Sequence, residues 1–287
     1  MAETPFDEWL HALLSRASDS RIASQVARVM AQQPERTSYA STAELAQLAG
    51  VNAAGVTRSA QALGFSGWPA LREELRARYL TSLSMSEIAS RHAGVGAATA
   101  AERSHQADQR ALASSAALLR DPALHDIAEM LATARSRLAI GTGSYSTVVQ
   151  LLAINATLAG YPTTTLSEGS TLANGIARIG PGDVVVIVSF WRIGWASLHA
   201  ARYARKVGAT VCVVTDHAPS PLTEAAHHVL KVTAEGGAHF PSMVPAVAVV
   251  NGICAELAAI DPARTRASIE VAEAAWDDME SFVDGRA

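Results

Sequence analysis

The chain has 287 residues, 27 of them acidic and 23 basic, for a formal net charge of -4. That balance excludes a strongly basic, charge-driven nucleic-acid binder, although it leaves room for a local patch. Nearly half of the residues are apolar and 17% are charged, which supplies a core and excludes wholesale disorder; the length suits about two domains.

Residues 1–80 read as helices. Asp19 is placed to cap a segment in which Ile22, Val26, Val29 and Met30 recur at helical spacing, and Gln33-Pro34 ends it before a short loop. Ser41-Thr42-Ala43-Glu44 fits a capping box for a helix of about two turns that carries Leu45, Leu48 and Ala49 on one face. Gly50 then supplies a left-handed residue, Val51 plugs the core, and Asn52 caps a helix running to Leu63. Gly64 stops it, and Trp68, Leu71 and Leu75 begin a fourth amphipathic helix. Two short helices joined by a glycine turn, the second opening on a polar cap, make the helix-turn-helix pattern; a helical bundle used for dimerisation is the alternative.

The second of those helices would be the reading head. Asn52, Ala53, Ala54, Thr57, Arg58 and Gln61 lie on its leading or exposed part. Arg58 suits a guanine edge or a phosphate, and Ala53 and Thr57 suit thymine methyls. Arg72, Arg76 and Arg78 are further phosphate candidates, with a solvated helix face as the plainer role. Residues 1–80 hold eight basic and eight acidic side chains, so one copy should bind weakly and a dimer reading two half-sites is required.

Residues 81–105 are rich in Ser, Ala and Gly and read as a linker with some helix. Residues 106–287 form the second domain. Leu112 to Ala134 is helical, with Asp121 capping and Pro122 at a first helical position. From residue 137 the rhythm changes. Leu138–Ile140, Thr163–Leu166, Val184–Val188, Thr210–Val214 and His228–Val232 read as strands, and helix-compatible segments lie between the first four and before the fifth. That alternation predicts a parallel sheet covered by helices on both faces. Pro241 to Met279 is helical again.

Open parallel sheets bind ligands beyond the C-terminal strand ends. The first strand is followed by Gly141-Thr142-Gly143-Ser144-Tyr145-Ser146, the second by Ser167-Glu168, the third by Ser189-Phe190-Trp191-Arg192, and the fourth by Thr215-Asp216-His217. These ends define a pocket for a small polar ligand, an anion above all, because glycines admit the ligand to the backbone and helix N-termini offer free N–H groups. The plainer alternative is that Ser146, Ser170 and Asp216 merely cap helices. A dinucleotide site is a rival, since Gly141-x-Gly143 opens a helix and Glu168 follows at ribose-binding distance, but Ser146 stands where a third glycine belongs.

Cys212 and Cys254 sit in apolar runs without metal-ligand spacing and read as buried thiols in a reducing compartment, so no metal and no cofactor are expected. Met1–Leu10 lacks the basic segment of a secretory signal, and Ser242–Ile260 is broken by Pro245, Asn251 and Glu256. A cytoplasmic protein without a membrane span is expected.

These strings resemble the MurR/RpiR family of bacterial transcriptional regulators. The resemblance rests on Ser41 through Arg58, on Leu63-Gly64-Phe65-Ser66-Gly67-Trp68, on Ile140 through Ser144, on Gly180-Pro181-Gly182-Asp183-Val184, on Ala204 through Ala209, and on Thr215 through Leu222. It implies an N-terminal all-α helix-turn-helix domain and a C-terminal α/β SIS (sugar-isomerase) domain with a five-stranded parallel sheet. It also implies a homo-oligomer, dimer or tetramer, that binds double-stranded operator DNA under control of a phosphosugar or related anionic metabolite. One stretch departs from the pattern. Where phosphosugar-binding SIS domains carry a hydroxyl-rich loop after the third strand, this chain has Ser189-Phe190-Trp191-Arg192-Ile193-Gly194-Trp195. Arg192 suits a bidentate grip on carboxylate or phosphate and Trp191 suits stacking; packing of Trp191 and Trp195 at an oligomer interface is the alternative. A SIS-fold isomerase would need a base, for which Glu168, Glu256 and His239 are the candidates, yet an isomerase has no evident need of the helix-turn-helix. Glu256 is also a candidate lining residue of the pocket.

Overall fold

A computed structural model describes residues 5–84, 86–87, 99–167, 169–234, 236 and 240–282. The chain divides into two compact units, Met1–Ala93 and Gly94–Ala287.

The first unit is all helix: α1 (Pro5–Arg16), α2 (Arg21–Gln32), α3 (Pro34–Tyr39), α4 (Thr42–Ala49), α5 (Ala53–Ala62) and α6 (Trp68–Ser82). Local chemistry sets the boundaries. Ser41 and Glu44 form the reciprocal capping box that opens α4, Gly50 closes it in the left-handed conformation at φ 63, and Asn52 caps α5 through its bond from the Gly55 N–H. Two expectations change. Ser20, not Asp19, caps α2, by accepting from the Ala23 N–H. The loop expected after Gln33 is the six-residue α3, because Pro34 is preorganised for a first helical position. Val26, Met30, Leu45, Val56, Ala60, Leu63, Trp68, Leu71 and Leu75 are buried together as its core.

The second unit opens with α7 (Ala100–Ser115), which overlaps the segment 81–105 expected as linker. Thr99 and Glu102 make another capping box there and start the helix early. Then follow α8 (Pro122–Thr133), β1 (Arg137–Ile140), α9 (Ser146–Leu158), β2 (Thr164–Leu166), α10 (Gly169–Ile176), β3 (Val184–Val188), α11 (Trp195–Lys206), β4 (Thr210–Thr215), α12 (Pro221–Glu224), β5 (His228–Lys231), α13 (Val244–Ile260) and α14 (Pro262–Asp278). The five strands are parallel in the order β2-β1-β3-β4-β5.

Every residue of β3 is buried, as a central strand covered on both faces requires. Strand alternation shares it between two cores. Val184, Val186 and Val188 face the layer of α8, α9 and α13 with Ile127, Leu152 and Ile253, whereas Val185 and Ile187 face that of α10, α11 and α12 with Ile176, Ala201 and Leu222. Two arginines close the sheet's lower edge. Arg137 donates to the carbonyls of Leu131, Ala132 and Ala134, capping the C-terminus of α8. Arg135 grips buried Asp183 through bonds of 2.9 and 2.6 Å, and that pair, with the Gly180 N–H, holds the carboxyl below the usual carboxylate range. Among the described residues no single helix is long and apolar enough to cross a membrane; α13, the most apolar, buries Val249, Val250, Ile253 and Leu257 in the core.

Candidate functional site

Helix α5 has two faces. Gly55, Val56, Ser59 and Ala60 are buried, and Asn52, Ala53, Ala54, Arg58 and Gln61 are exposed with Thr57 half-buried beside them. The 3.6-residue period therefore separates a packed face from an exposed one within ten residues. Small side chains make the packing close: a Cβ on Gly55 would meet the Asn52 Oδ1 and the Ile22 methyl at 3.2 Å. The Asn52 Oδ1 is spent on its cap and the Thr57 hydroxyl returns to the Ala53 carbonyl, so both offer less to a duplex than their residue types suggest. Arg58 has no hydrogen-bond or ion-pair partner among the described residues. Four other arginines of this unit are engaged: Arg16 donates to the Leu63 carbonyl at the end of α5, Arg72 to the Ala40 carbonyl, Arg76 lies over the Tyr39 ring, and Arg78 pairs with Glu74. Arg72, Arg76 and Arg78, the further phosphate candidates, are half-buried and also hold the unit together.

In the second unit the chain runs outward from β1 to β2 and returns past β1 to β3. The topological switch point, where open sheets of this kind leave a crevice, lies between β1 and β3. Here the loops after both strands meet. Gly194 approaches the Thr142 hydroxyl, a Cβ on it standing 3.9 Å away, and the Tyr145 hydroxyl donates to the Phe190 carbonyl at 2.7 Å. Gly141 permits the tight exit from β1, since a Cβ there would stand 2.8 Å from the Tyr145 carbonyl oxygen. Gly143 and Ser144 are exposed, Thr142 is half-buried, and Ser146 is tied back to the Gly143 carbonyl.

After β3, Ser189 and Phe190 are buried, while Trp191 is half-buried and Arg192 exposed. The Arg192 guanidinium lies over the Trp191 ring, 4.9 Å from its centre. Trp191 adopts a left-handed backbone at φ 57, a conformation that bulky L-residues rarely take. Asp216, at the end of β4, holds it there by accepting the Trp191 N–H at 2.8 and 3.0 Å. Burial pushes the Asp216 carboxyl up to about 6, against the opposing pull of the Trp191 N–H and of Lys231; burial, then the Asp216 charge, push the Tyr145 phenol up to about 12.

Several of the expected ligand residues have partners of their own. Thr215 is fully buried and its hydroxyl accepts from the His217 N–H, so it shapes the turn after β4. Glu256 faces His125 of α8 across 3.2 Å in the outer helical layer, and that contact raises the His125 imidazole. Ser167 is exposed at the end of β2. Glu168 and His239 lie outside the described residues. Asp216 and Tyr145 fasten the loop after β3, a role the sequence does not display: Asp216 stands among the polar strand ends or as a helix cap, and its partner lies 25 residues away on a neighbouring strand end. Cys212 and Cys254 are both buried, which pushes their thiols up to about 12 and about 11.

Two family models match consecutive parts of the chain, the rpiR-family helix-turn-helix domain over residues 14–82 and the SIS domain over residues 130–263. Over 207 residues the chain is 26% identical to the uncharacterized HTH-type transcriptional regulator YfhH of Escherichia coli (strain K12), covering 71% of this chain and 73% of that protein. The sugar isomerase domain of an RpiR transcription factor from Sphaerobacter thermophilus is similar to 59% of this chain and 96% of its own, with TM-score 0.57 and 29% identity. Vibrio vulnificus NanR, in complex with ManNAc-6P, is similar over 94% of this chain and 98% of its own, with TM-score 0.57 and 20% identity. An rpiR-family helix-turn-helix domain followed by a SIS domain is the architecture of RpiR-type transcriptional regulators, and this chain has it.

Proposed function

We propose that the chain binds operator DNA as a homo-oligomer through α5, and that a small anionic metabolite held at the β1/β3 switch point changes its affinity for that DNA. The observation that carries the reading is the division of α5 into a packed face and an exposed face bearing Ala53, Ala54, Arg58 and Gln61. Its test is anisotropy with labelled intergenic DNA from upstream of the gene, at fixed salt. Arg58→Ala should weaken binding about 5- to 150-fold, the range of ~1–3 kcal/mol for a bidentate base contact. Unchanged affinity removes α5 as the reading element.

For the effector, Arg192 supplies the charge, Trp191 a face for a sugar-like ring, and Thr142, Ser144 and Ser146 the neighbouring hydroxyls. The ligand class is a phosphosugar or a related carboxylate, and the ManNAc-6P bound by the V. vulnificus relative is of this class. Calorimetry across sugar phosphates and sugar acids identifies the best binder. Arg192→Ala should then lower its affinity by ~1.5–3 kcal/mol, the worth of a hydrogen bond to a charged group; an unaltered constant places the anion elsewhere. The reading is of a sensor, not a catalyst: Glu256, one candidate base, is committed to His125. Turnover of a sugar phosphate that vanishes with Glu256→Ala would reverse that assignment in favour of an isomerase.

A further inference from the structure

Helix α14 buries none of its side chains. Its first two turns are tied to the end of α9, through bonds from Arg264 to the Gly160 carbonyl and from Thr265 to the Ala159 carbonyl. Beyond them Val271 is 72% exposed and Met279 75% exposed. Helices in proteins draw most of their stability from a packed face, and the outer part of α14 has only a half-buried stripe of Ile269, Ala272 and Trp276, the last against Phe282. It is also acidic. Glu270, Glu273 and Asp277 fall at i, i+3 and i+7 and share one face. None of the three has an ion-pair partner among the described residues.

A surface of opposite sign lies on α11 and α12. Arg202, Arg205 and Lys206, with Pro221, Glu224 and Ala225, line an open groove of about 350 Å³. Three cations face one carboxylate there. The Arg205 guanidinium donates to the Ala225 and Ala226 carbonyls, which fixes one wall. A helix C-terminus favours cations within its last turn, which accounts for Arg205 and Lys206 but less well for Arg202. In this unit α14 follows α13, which packs on the sheet face with α8 and α9, whereas α11 and α12 cover the opposite face. The sheet stands between the acidic helix and the cationic groove of the same chain.

We propose that the acidic face of α14 in one copy docks into the α11–α12 groove of a second copy, each chain giving a helix and receiving one. Such an exchange closes on itself as a two-fold interface. The proposal rests on the homo-oligomer of the functional reading and specifies one of its contacts.

The test is sedimentation of the full chain with two charge-reversed variants, Glu270→Lys/Glu273→Lys/Asp277→Lys and Arg202→Glu/Lys206→Glu. Each alone should associate at least tenfold more weakly than the parent, while an equimolar mixture of the two should recover association, because the reversed helix of one then meets the reversed groove of the other. Added salt should weaken the parent in the same direction. A second measurement does not depend on how the reversed variants fold. Glu273→Cys and Lys206→Cys chains of different mass, mixed under oxidation, should give the mixed disulfide. Variants that associate like the parent and form no mixed disulfide overturn this contact and leave the homo-oligomer reading in place. A parent that sediments as a single chain at all concentrations removes both. A change confined to DNA affinity, without change in association, assigns α14 to another surface and also overturns the proposal.

Discussion

Replacing Trp68 with alanine should destabilise the N-terminal unit by ~3–5 kcal/mol, the range for emptying a large buried aromatic site. Trp68 is 1% exposed and is the largest fully buried side chain among the described residues. Its indole N–H donates to the Ala40 carbonyl at 2.9 Å, joining the start of α6 to the turn before α4. Small domains have roughly 5–15 kcal/mol in total, so this loss consumes much of the margin of the unit that carries α5. Trp68→Phe keeps most of the apolar volume and forfeits the hydrogen bond, for which a loss of about 0.5–1.5 kcal/mol is expected. Calorimetry should show the two variants shifting one transition in that order while the sheet-containing unit melts as before. DNA binding by the alanine variant should fail first on warming. An alanine variant melting within a degree of the parent would contradict the packing described.

The second large effect is expected at Asp216 and has the opposite sign. Its folded carboxyl titrates at about 6, above the ordinary 3.8, because burial penalises the anion more than the Trp191 N–H and Lys231 favour it. The folded state therefore binds the proton more tightly than the unfolded state. The contribution to stability is fully present below pH ~4 and is lost as pH rises through 6. The shift of about two units sets an upper bound of ~3 kcal/mol, at 1.36 kcal/mol per unit. Asp183 works the other way: its depressed carboxyl adds stability above the ordinary carboxylate range, lost as pH falls. Asp216→Asn retains an oxygen for the Trp191 N–H without the buried charge, so it should raise stability at pH 7 and flatten the profile between about pH 4 and 6. Asp216→Ala should instead release Trp191 from φ 57, readable as a change in tryptophan emission absent from Trp191→Phe chains. Thermal melts of the parent and the asparagine variant across pH check the sign; parallel profiles would show that Asp216 carries no such penalty.

Much of this architecture was legible because its causes are local. Ser41 and Glu44, Gly50 and Asn52 act within four residues of themselves, and the unbroken apolar run of Val184–Val188 admits a doubly covered strand. The misses share a different cause. Thr99 and Glu102 form the same kind of capping box as Ser41 and Glu44, yet they sit in an Ala- and Gly-rich stretch whose composition reads as linker. Thr215 and Glu256 were assigned by residue type and position, but a hydroxyl can be taken by its own turn, and a carboxylate on an apolar helix can look outward to a partner 131 residues earlier. Asp216 is the sharpest case. A polar residue after a strand usually caps the next helix, and nothing in Ser189–Gly194 announces that a tryptophan, not a glycine, takes the left-handed position.

The loop carrying Trp191 and Arg192 is fastened from both sides, by Tyr145 from the end of β1 and by Asp216 from the end of β4. Were the proposed effector to enter between them, it would find its aperture already set and lose little affinity to ordering the backbone around it. Selectivity would then fall to the fixed shape and charge of the Trp–Arg pair, so close analogues should be separated by fit alone, with small heat-capacity differences among them.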